Sequence, residues 1–401
     1  MRVAVLGAGL QGACVALELA SNGIEVDLYD RNDHCVSQAS AQNEGKIHLG
    51  YVYANDRTLQ TARLMVKGAV SFAPLLRRWI GCDIDRIAVS APFYYAVHKD
   101  SLLGIDEVER HLFASNRIAR EQSNGLAIDY FGADYCNVPV RLKRYDELFA
   151  HDKIVGAFAT PEIAIDAEVL AGFVRNRLIS EPAICCVMRS NVLDVASAGS
   201  GVDVNFQIDG ERFRASYDHV VNTLWDGRLA IDATIGIRPP RPWLFRIKHY
   251  LRLKRSSPAA FLPSATIVLG AFGDLVNYMN GELYLSWYPA GMRNLTSELR
   301  PPNWPHVLDK ETASEIRRSI ASALVEIIPS LADCEPMDSC EVKGGVIFAW
   351  GATDIDDPGS ELHARFEVGT QSYGRYHSID TGKLTLAPLF AKEMADRIRG
   401  V

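Results

Sequence analysis

The first apolar run, Arg2 to Leu6, is short, unbroken and closed by glycine, the pattern of a strand buried on both faces. Ala13, Ala16, Leu17 and Ala20 then recur at helical spacing. Asn22-Gly23 ends that helix, because both residues tolerate the left-handed cap conformation. Ile24 to Tyr29 is a second strand, followed by Asp30. The chain thus opens on a strand–helix–strand unit. From Thr58 to Trp79, Leu59, Ala62, Val66, Ala69 and Ala73 lie near one helical face, with a kink or break predicted at Pro74. "APFYYAVHKD" reads as a strand, Asp166 to Ser180 as a helix, and Val192–Ala196, Val202–Ile208 and "DHVVNTL" as strands.

From Trp243 to Lys254 the chain alternates. Phe245, Ile247, His249, Leu251 and Leu253 share one parity; Arg246, Lys248, Tyr250, Arg252 and Lys254 share the other. That is a strand with one wet face, and its cationic row is also a candidate surface for an acidic ligand. Asn280-Gly281 predicts a hairpin between two strands. Thr312 and Glu315 fit a capping box for a helix with Ile316, Ile320, Ala323 and Ile327 on one stripe. A last helix is predicted from near Pro388 to Arg399. The order predicts an α/β nucleotide domain with an α+β domain inserted in it.

A length of 401 residues fits two or three domains at roughly 150 residues each. The net charge of −7 argues against bulk attraction to nucleic acid or anionic membrane. No run approaches the ~20 apolar residues of a transmembrane segment. The opening "MRVAVLGAG" is too short and too glycine-rich for a signal peptide, so a cytoplasmic protein is expected. The eight cysteines are scattered without a CxxC, so neither a metal site nor a disulfide framework is expected.

Gly7, Gly9 and Gly12 form G-x-G-x-x-G between the first strand and helix. The first glycine allows the tight turn, the second lets backbone approach a pyrophosphate, and the third lets helix and strand pack closely. The helix N-terminus supplies free N–H groups and a positive dipole end. Asp30, at the end of the second strand, is placed to accept ribose hydroxyls. This unit predicts dinucleotide binding without separating NAD from FAD.

The next segment, "SQASAQNEGKIHLGYVYAND", matches Ser-x-x-Asn-x-Gly-x-Ile-His-x-Gly at Ser40, Asn43, Gly45, Ile47, His48 and Gly50. It resembles the second cofactor segment of the D-amino-acid-oxidase-like FAD superfamily, most closely its 2-hydroxyglutarate oxidase and glycerol-3-phosphate dehydrogenase branches. "DHVVNTLWDG", "FGDLVNYMNGELYLSWYPAG" and "YHSIDTGKLTLAPLFAKEMADRI" are similar to further segments of that family. The match is weak between about residues 80 and 160, and Thr223-Leu224-Trp225 stands where the family has Ala-x-Gly.

The resemblance implies a Rossmann-like FAD-binding domain with an inserted α+β substrate domain bearing an antiparallel sheet. The expected FAD-binding parts are 1–75, 155–230 and 336–401; the substrate parts are 76–154 and 231–335. It implies non-covalent FAD lined by Gly7, Gly9, Leu10, Gln11, Gly12, Asp30, Arg31, Ser40, Asn43, Gly45, Lys46 and Val192. Gly382, Lys383 and Leu384 would offer N–H groups to the flavin C2 carbonyl, where reduction places negative charge.

The expected chemistry is oxidation of a 2-hydroxy acid or related alcohol by hydride transfer to flavin N5, with oxygen or a quinone as acceptor. His48, with a histidine's ordinary pKa near 6.5, is the predicted base. Lys343 and His377 are further catalytic candidates. Tyr51, Tyr53, Tyr278, Trp287 and Arg375 are candidate substrate contacts. An amine or amino-acid oxidase on the same fold is the alternative, with a non-catalytic dinucleotide-binding module behind it.

Overall fold

Strand Arg2–Leu6 sends alternate side chains to two different cores. In the computed structural model of the chain, Val3 and Val5 join the helical layer, while Ala4 and Leu6 pack against a three-stranded meander. The structure describes residues 1–124, 126–199, 201–255, 262–304, 308–334 and 337–400. The six-stranded sheet runs Gly369–Tyr373, Tyr376–Asp380, His219–Asn222, Arg2–Leu6, Glu25–Tyr29, Ile184–Val187. All pairs are parallel except the first, a hairpin. Helices Leu10–Ser21, Gln60–Ile80 and Ala387–Arg399 pack on one face. The meander Ser190–Ala198, Gly201–Ile208, Glu211–Tyr217 covers the other. Both faces are closed, which is why these strands read as continuous apolar runs.

The second sheet has nine strands. Its long member, Trp243–Lys254, pairs with Met292–Thr296 along its first half and with Glu282–Trp287 along its second. Its other edge takes Glu341–Trp350 over ten residue pairs. The sheet continues through Gly273–Asn277, Ser264–Val268, Phe93–His98, Ile154–Ala159 and Val140–Arg141. Helix Lys310–Ile327 closes a core over Leu251, Leu253, Leu275, Leu283 and Leu285. A two-stranded ribbon, Lys46–Ile47 with Ile163–Ala164, lies between the large sheets in sequence and carries the segment that ends in His48.

Several expectations need correction. Strands Ile154–Ala159 and Glu341–Trp350 sit in the nine-stranded sheet although most of their residues were assigned to FAD-binding parts. The open edge of Trp243–Lys254 recruits the second of them. The expected boundary at 335/336 lies outside the described residues. The helix Gln60–Ile80 runs unbroken through Pro74. Helix Lys310–Ile327 is capped by Asp309, whose side chain accepts from the Thr312 N–H; Thr312 is inside the helix rather than its cap. The helix Ile105–Ser123 is not among the expected elements, although its apolar stripe fits helical spacing. Among the described residues, no helix is long and apolar enough to cross a membrane.

Candidate active site

The glycine turn is built for close approach. Gly7 has φ +98°, and a Cβ there would lie 2.7 Å from the Thr223 carbonyl oxygen. A Cβ on Gly12 would lie 1.9 Å from the Gly7 oxygen, so helix and strand meet at glycine contact distance. Helix Leu10–Ser21 starts on Gly9 with no side chain of its own cap position bonding it. Ser40 Oγ instead accepts from Leu10 N at 2.8 Å. Asp30 accepts from Ala8 N at 2.7 Å and from Asn32 N at 2.9 Å, which fixes its carboxylate beside the turn. Thr223, at the departure from the family pattern, donates to the Leu6 and Gly7 carbonyls at 2.8 and 2.9 Å and braces the turn from behind.

Two clefts meet over this turn. The first is lined by Gly7, Asp30, Arg31, Ser190, Val192 and Asp226, with Arg31 and Asp226 ion-paired at 2.7 Å. The second holds Gln11, Asn43, Lys46, His48 and the turn Gly382-Lys383-Leu384, under a roof from the nine-stranded sheet. They share Gly9, Ala39, Ser40, Thr223, Trp225 and Val346, so they form one trench. The helix N-terminus, the glycine turn and the continuity of the two clefts fit a dinucleotide carrying a second ring system.

Most predicted cofactor residues line the trench. Gly12 lies beneath the turn, and Gly45 packs against the Ile165 carbonyl, where a Cβ would come within 1.8 Å. Asn43 bonds the Ala39 and Ser40 carbonyls and accepts from Gly45 N, holding the segment's loop. Gln11 donates to the Ala387 carbonyl and accepts from Thr381, tying the first helix to the last. In the flavin-side turn, Gly382 N already donates to Asp380 and Lys383 N to the Thr381 carbonyl.

The second cleft is cationic. Lys46, Lys248, Arg365 and Lys383 line it with Glu44, Tyr250, Tyr284 and Tyr288. Lys46 Nζ lies 2.7 Å from Asp274 and 4.4 Å from the Phe93 ring centroid. Lys248 Nζ lies 3.9 Å from Asp274 Oδ2 and 5.0 Å from the Tyr288 ring centroid. Burial opposes charge on Lys248, but Tyr284, Glu44, Tyr288 and Asp274 hold its pKa well above the usual range. Burial, with Arg365, Lys248 and Lys46 added, lowers Lys383 to about 8 against the pull of Glu44. Burial opposes ionisation of Glu44 too, yet Lys248, Lys383 and Lys46 hold it at about 2. The balance favours an anionic guest.

His48 lines this cleft and is 4 % exposed. Its N–H donates to Thr385 Oγ1 at 3.0 Å, while its ring Nδ1 has no hydrogen-bond partner. Burial, then Lys383 and Lys46, push its pKa well below the histidine range. The imidazole is therefore neutral at neutral pH, with a lone pair available.

The other candidates lie elsewhere. Lys343 pairs with Glu168 outside the cleft. His377 is inside the parallel sheet, sharing a 3.0 Å ring contact with His219, and burial holds it at about 4. Tyr51 packs on Tyr95, Tyr53 packs on His48 from behind, and Tyr278 donates to the Glu44 carbonyl, so all three are wall rather than lining. Trp287 packs on Phe272, and Arg375 bonds the Asp218 carbonyl at the surface. The wet-face reading of Trp243–Lys254 also fails. Arg246, buried at 2 %, pairs with Asp354, and Arg252 bonds Asp166 and Glu282. Lys248 enters the cleft, and Lys254 alone of the row is exposed. Lys248, Arg365, Tyr284 and Tyr288 line the cleft without standing among the expected site residues. The one signal was the cationic row, which a solvated face imitates.

A dinucleotide trench ending beside a buried imidazole, under a mixed sheet whose strands above the cleft pair antiparallel, defines a two-domain flavin oxidoreductase. The chain belongs to the FAD dependent oxidoreductase (DAO) family, whose model matches residues 2–397. Its fold is shared with glycine oxidase from Geobacillus kaustophilus, at TM-score 0.69 and 16 % identity over 100 % of this chain and 95 % of that one. L-proline dehydrogenase from P. horikoshii gives 0.67 and 13 %, over 100 % and 93 %. The FAD-bound L-alpha-glycerophosphate oxidase from Mycoplasma pneumoniae gives 0.63 and 11 %, over 99 % and 94 %. The protein is an FAD-dependent oxidoreductase without a membrane-spanning helix among its described residues.

Proposed function

We propose that the chain oxidises a small 2-hydroxy acid, or a related anionic alcohol, with His48 as the base. When bound, FAD supplies the acceptor for the hydrogen and electron pair leaving the substrate carbon. The protein's own contribution is positional and electrostatic. Lys248, Arg365 and Lys383 hold the substrate carboxylate, and Tyr284 and Tyr288 fill the space beside it. The neutral His48 takes the hydroxyl proton, and Glu44 and Asp274 keep the lysines fixed. The observation that carries this reading is the buried, neutral His48 in a cleft it shares with four cationic side chains, Lys46, Lys248, Arg365 and Lys383. An alcohol needs a base for its proton, whereas an amine already neutral does not. The "IHLG" form of the segment supports the same branch of the family.

Amino-acid oxidation is the second reading. Glu44, held ionised inside the cleft, offers an ammonium group a partner. Oxygen or a quinone is the proposed electron acceptor. The test is anaerobic bleaching of the flavin band by a panel of 2-hydroxy acids, polyol phosphates and amino acids. Bleaching by a hydroxy acid at low concentration supports the first reading. Bleaching by amino acids alone replaces it with the second.

A further inference from the structure

Glu162 is the one carboxyl at full burial beside the proposed base, with 0 % of its surface exposed. It stands just before the ribbon strand Ile163–Ala164, which pairs with the Lys46–Ile47 strand preceding His48. Three groups converge on it. Leu49 N donates to Oε2 at 2.6 Å, the Tyr95 hydroxyl donates to Oε1, and His48 Nδ1 lies 3.9 Å from Oε1. Among the described residues, that imidazole is the only basic side chain within ion-pair distance of it. A carboxyl with no solvent contact is an expensive thing to keep in a core: burial raises the Glu162 pKa, against the pull of Lys46 and of the hydrogen bonds from Tyr95 and Leu49 N. Its ties hold both the backbone after His48 and the region beside the ring.

We propose that Glu162 is a positioning residue that orients the His48 imidazole and sets its tautomer. The proposal rests on the reading of His48 as base. A carboxylate at Nδ1 favours the proton on that nitrogen and leaves the lone pair on Nε2. When Nε2 accepts the substrate proton, the imidazolium forms beside a negative charge. A closing of under an ångström turns the present 3.9 Å approach into a hydrogen bond, as such contacts tighten on substrate binding. Of the other charges around the ring, Lys383, Lys46 and Arg365 oppose its protonation and Asp274 favours it, but among the described residues Glu162 is the one carboxylate within ion-pair distance of the imidazole; Tyr53 meets it through its ring. Around Glu162 itself stand Lys46, Asp274 and the hydroxyl groups of Tyr95, Tyr51 and Tyr130.

The test compares Glu162→Gln, Glu162→Asp and His48→Gln as FAD-loaded enzymes, in single-turnover flavin reduction across pH. In the wild type the rate falls on the acid side as the base protonates. Glu162→Gln keeps the shape but removes the charge. It should slow the plateau about tenfold or more and move the acid limb to lower pH. Glu162→Asp should recover part of the plateau. An acid limb left in its wild-type position in Glu162→Gln overturns the proposal, whatever the plateau does, because a purely structural role would not shift it. If His48→Gln reduces flavin as fast as wild type, the reading of His48 falls and this proposal with it. If His48→Gln is slow and Glu162→Gln is unshifted, only the role of Glu162 falls.

Discussion

Lys46 Nζ and Asp274 Oδ1 lie 2.7 Å apart, joining the cofactor segment to the hairpin that roofs the cleft. Thr266 accepts from the same ammonium, so the pair is anchored on both sides. Lys46 is 2 % exposed at its side chain. Asp274→Ala should leave that charge unpaired and cost about 3–5 kcal/mol. Lys46→Met added to Asp274→Ala should restore part of the loss. Urea unfolding of the single and double variants checks both. An Asp274→Ala protein as stable as wild type would contradict the pair's importance.

Gly12→Ala should abolish FAD retention, because the new methyl group would meet the Gly7 carbonyl at 1.9 Å and push the helix off the turn. Gly172→Ala provides the control. It sits in helix Ala167–Ser180 with nothing within 4 Å of the added carbon, and should stabilise by roughly 0.5–1 kcal/mol. The ratio of flavin to protein absorbance, with a melting temperature, separates the two effects.

Stability should fall on acidification below neutrality. His48, His98, His111, His219, His249, His363 and His377 are all lowered, each chiefly by burial. An unfolded histidine titrates near 6.5. Below that pH the unfolded chain binds protons that the folded chain refuses, so the slope of stability against pH is positive. For His377, lowered to about 4, the loss accumulates between roughly 6.5 and that value. It amounts to about 3 kcal/mol at ~1.4 kcal/mol per unit. Denaturation midpoints measured from neutral to mildly acid buffer should drop, and His377→Gln should make the drop shallower. A flat profile would contradict this.

Lys248→Met should raise KM for the anionic substrate about tenfold or more while leaving kcat within a few-fold, since the lysine holds a carboxylate equally well before and during reaction. Steady-state kinetics with the substrate found in the bleaching panel checks this. A matched fall in kcat with KM unchanged would place Lys248 at the reacting atoms instead.

The glycine turn was legible because it is local. Gly7, Gly9, Gly12 and Asp30 fall within one strand–helix–strand unit, where spacing alone fixes their geometry. The cationic character of the second cleft was not. Lys46 and Lys383 stand in the expected cofactor segments, but Lys248 and Arg365 come from other segments, and no local pattern links the four. Lys248 was hidden by parity. Its strand is covered on both faces, so buried cations satisfied by Asp354, Asp166 and Glu282 produce the same alternation as a solvated surface. Trp287, Arg375 and Lys343 were drawn in by residue type, and their side chains turn to other partners. The fold suffered less: the Asn280-Gly281 turn joins Gly273–Asn277 to Glu282–Trp287, and the last helix starts one residue before Pro388.

The most direct measurement is the rate of anaerobic flavin reduction in His48→Gln against wild type, at matched FAD content and saturating substrate. The account predicts a slowing of ~10²-fold or more with the cofactor still bound. A variant that retains FAD and is reduced at the wild-type rate would contradict the central claim.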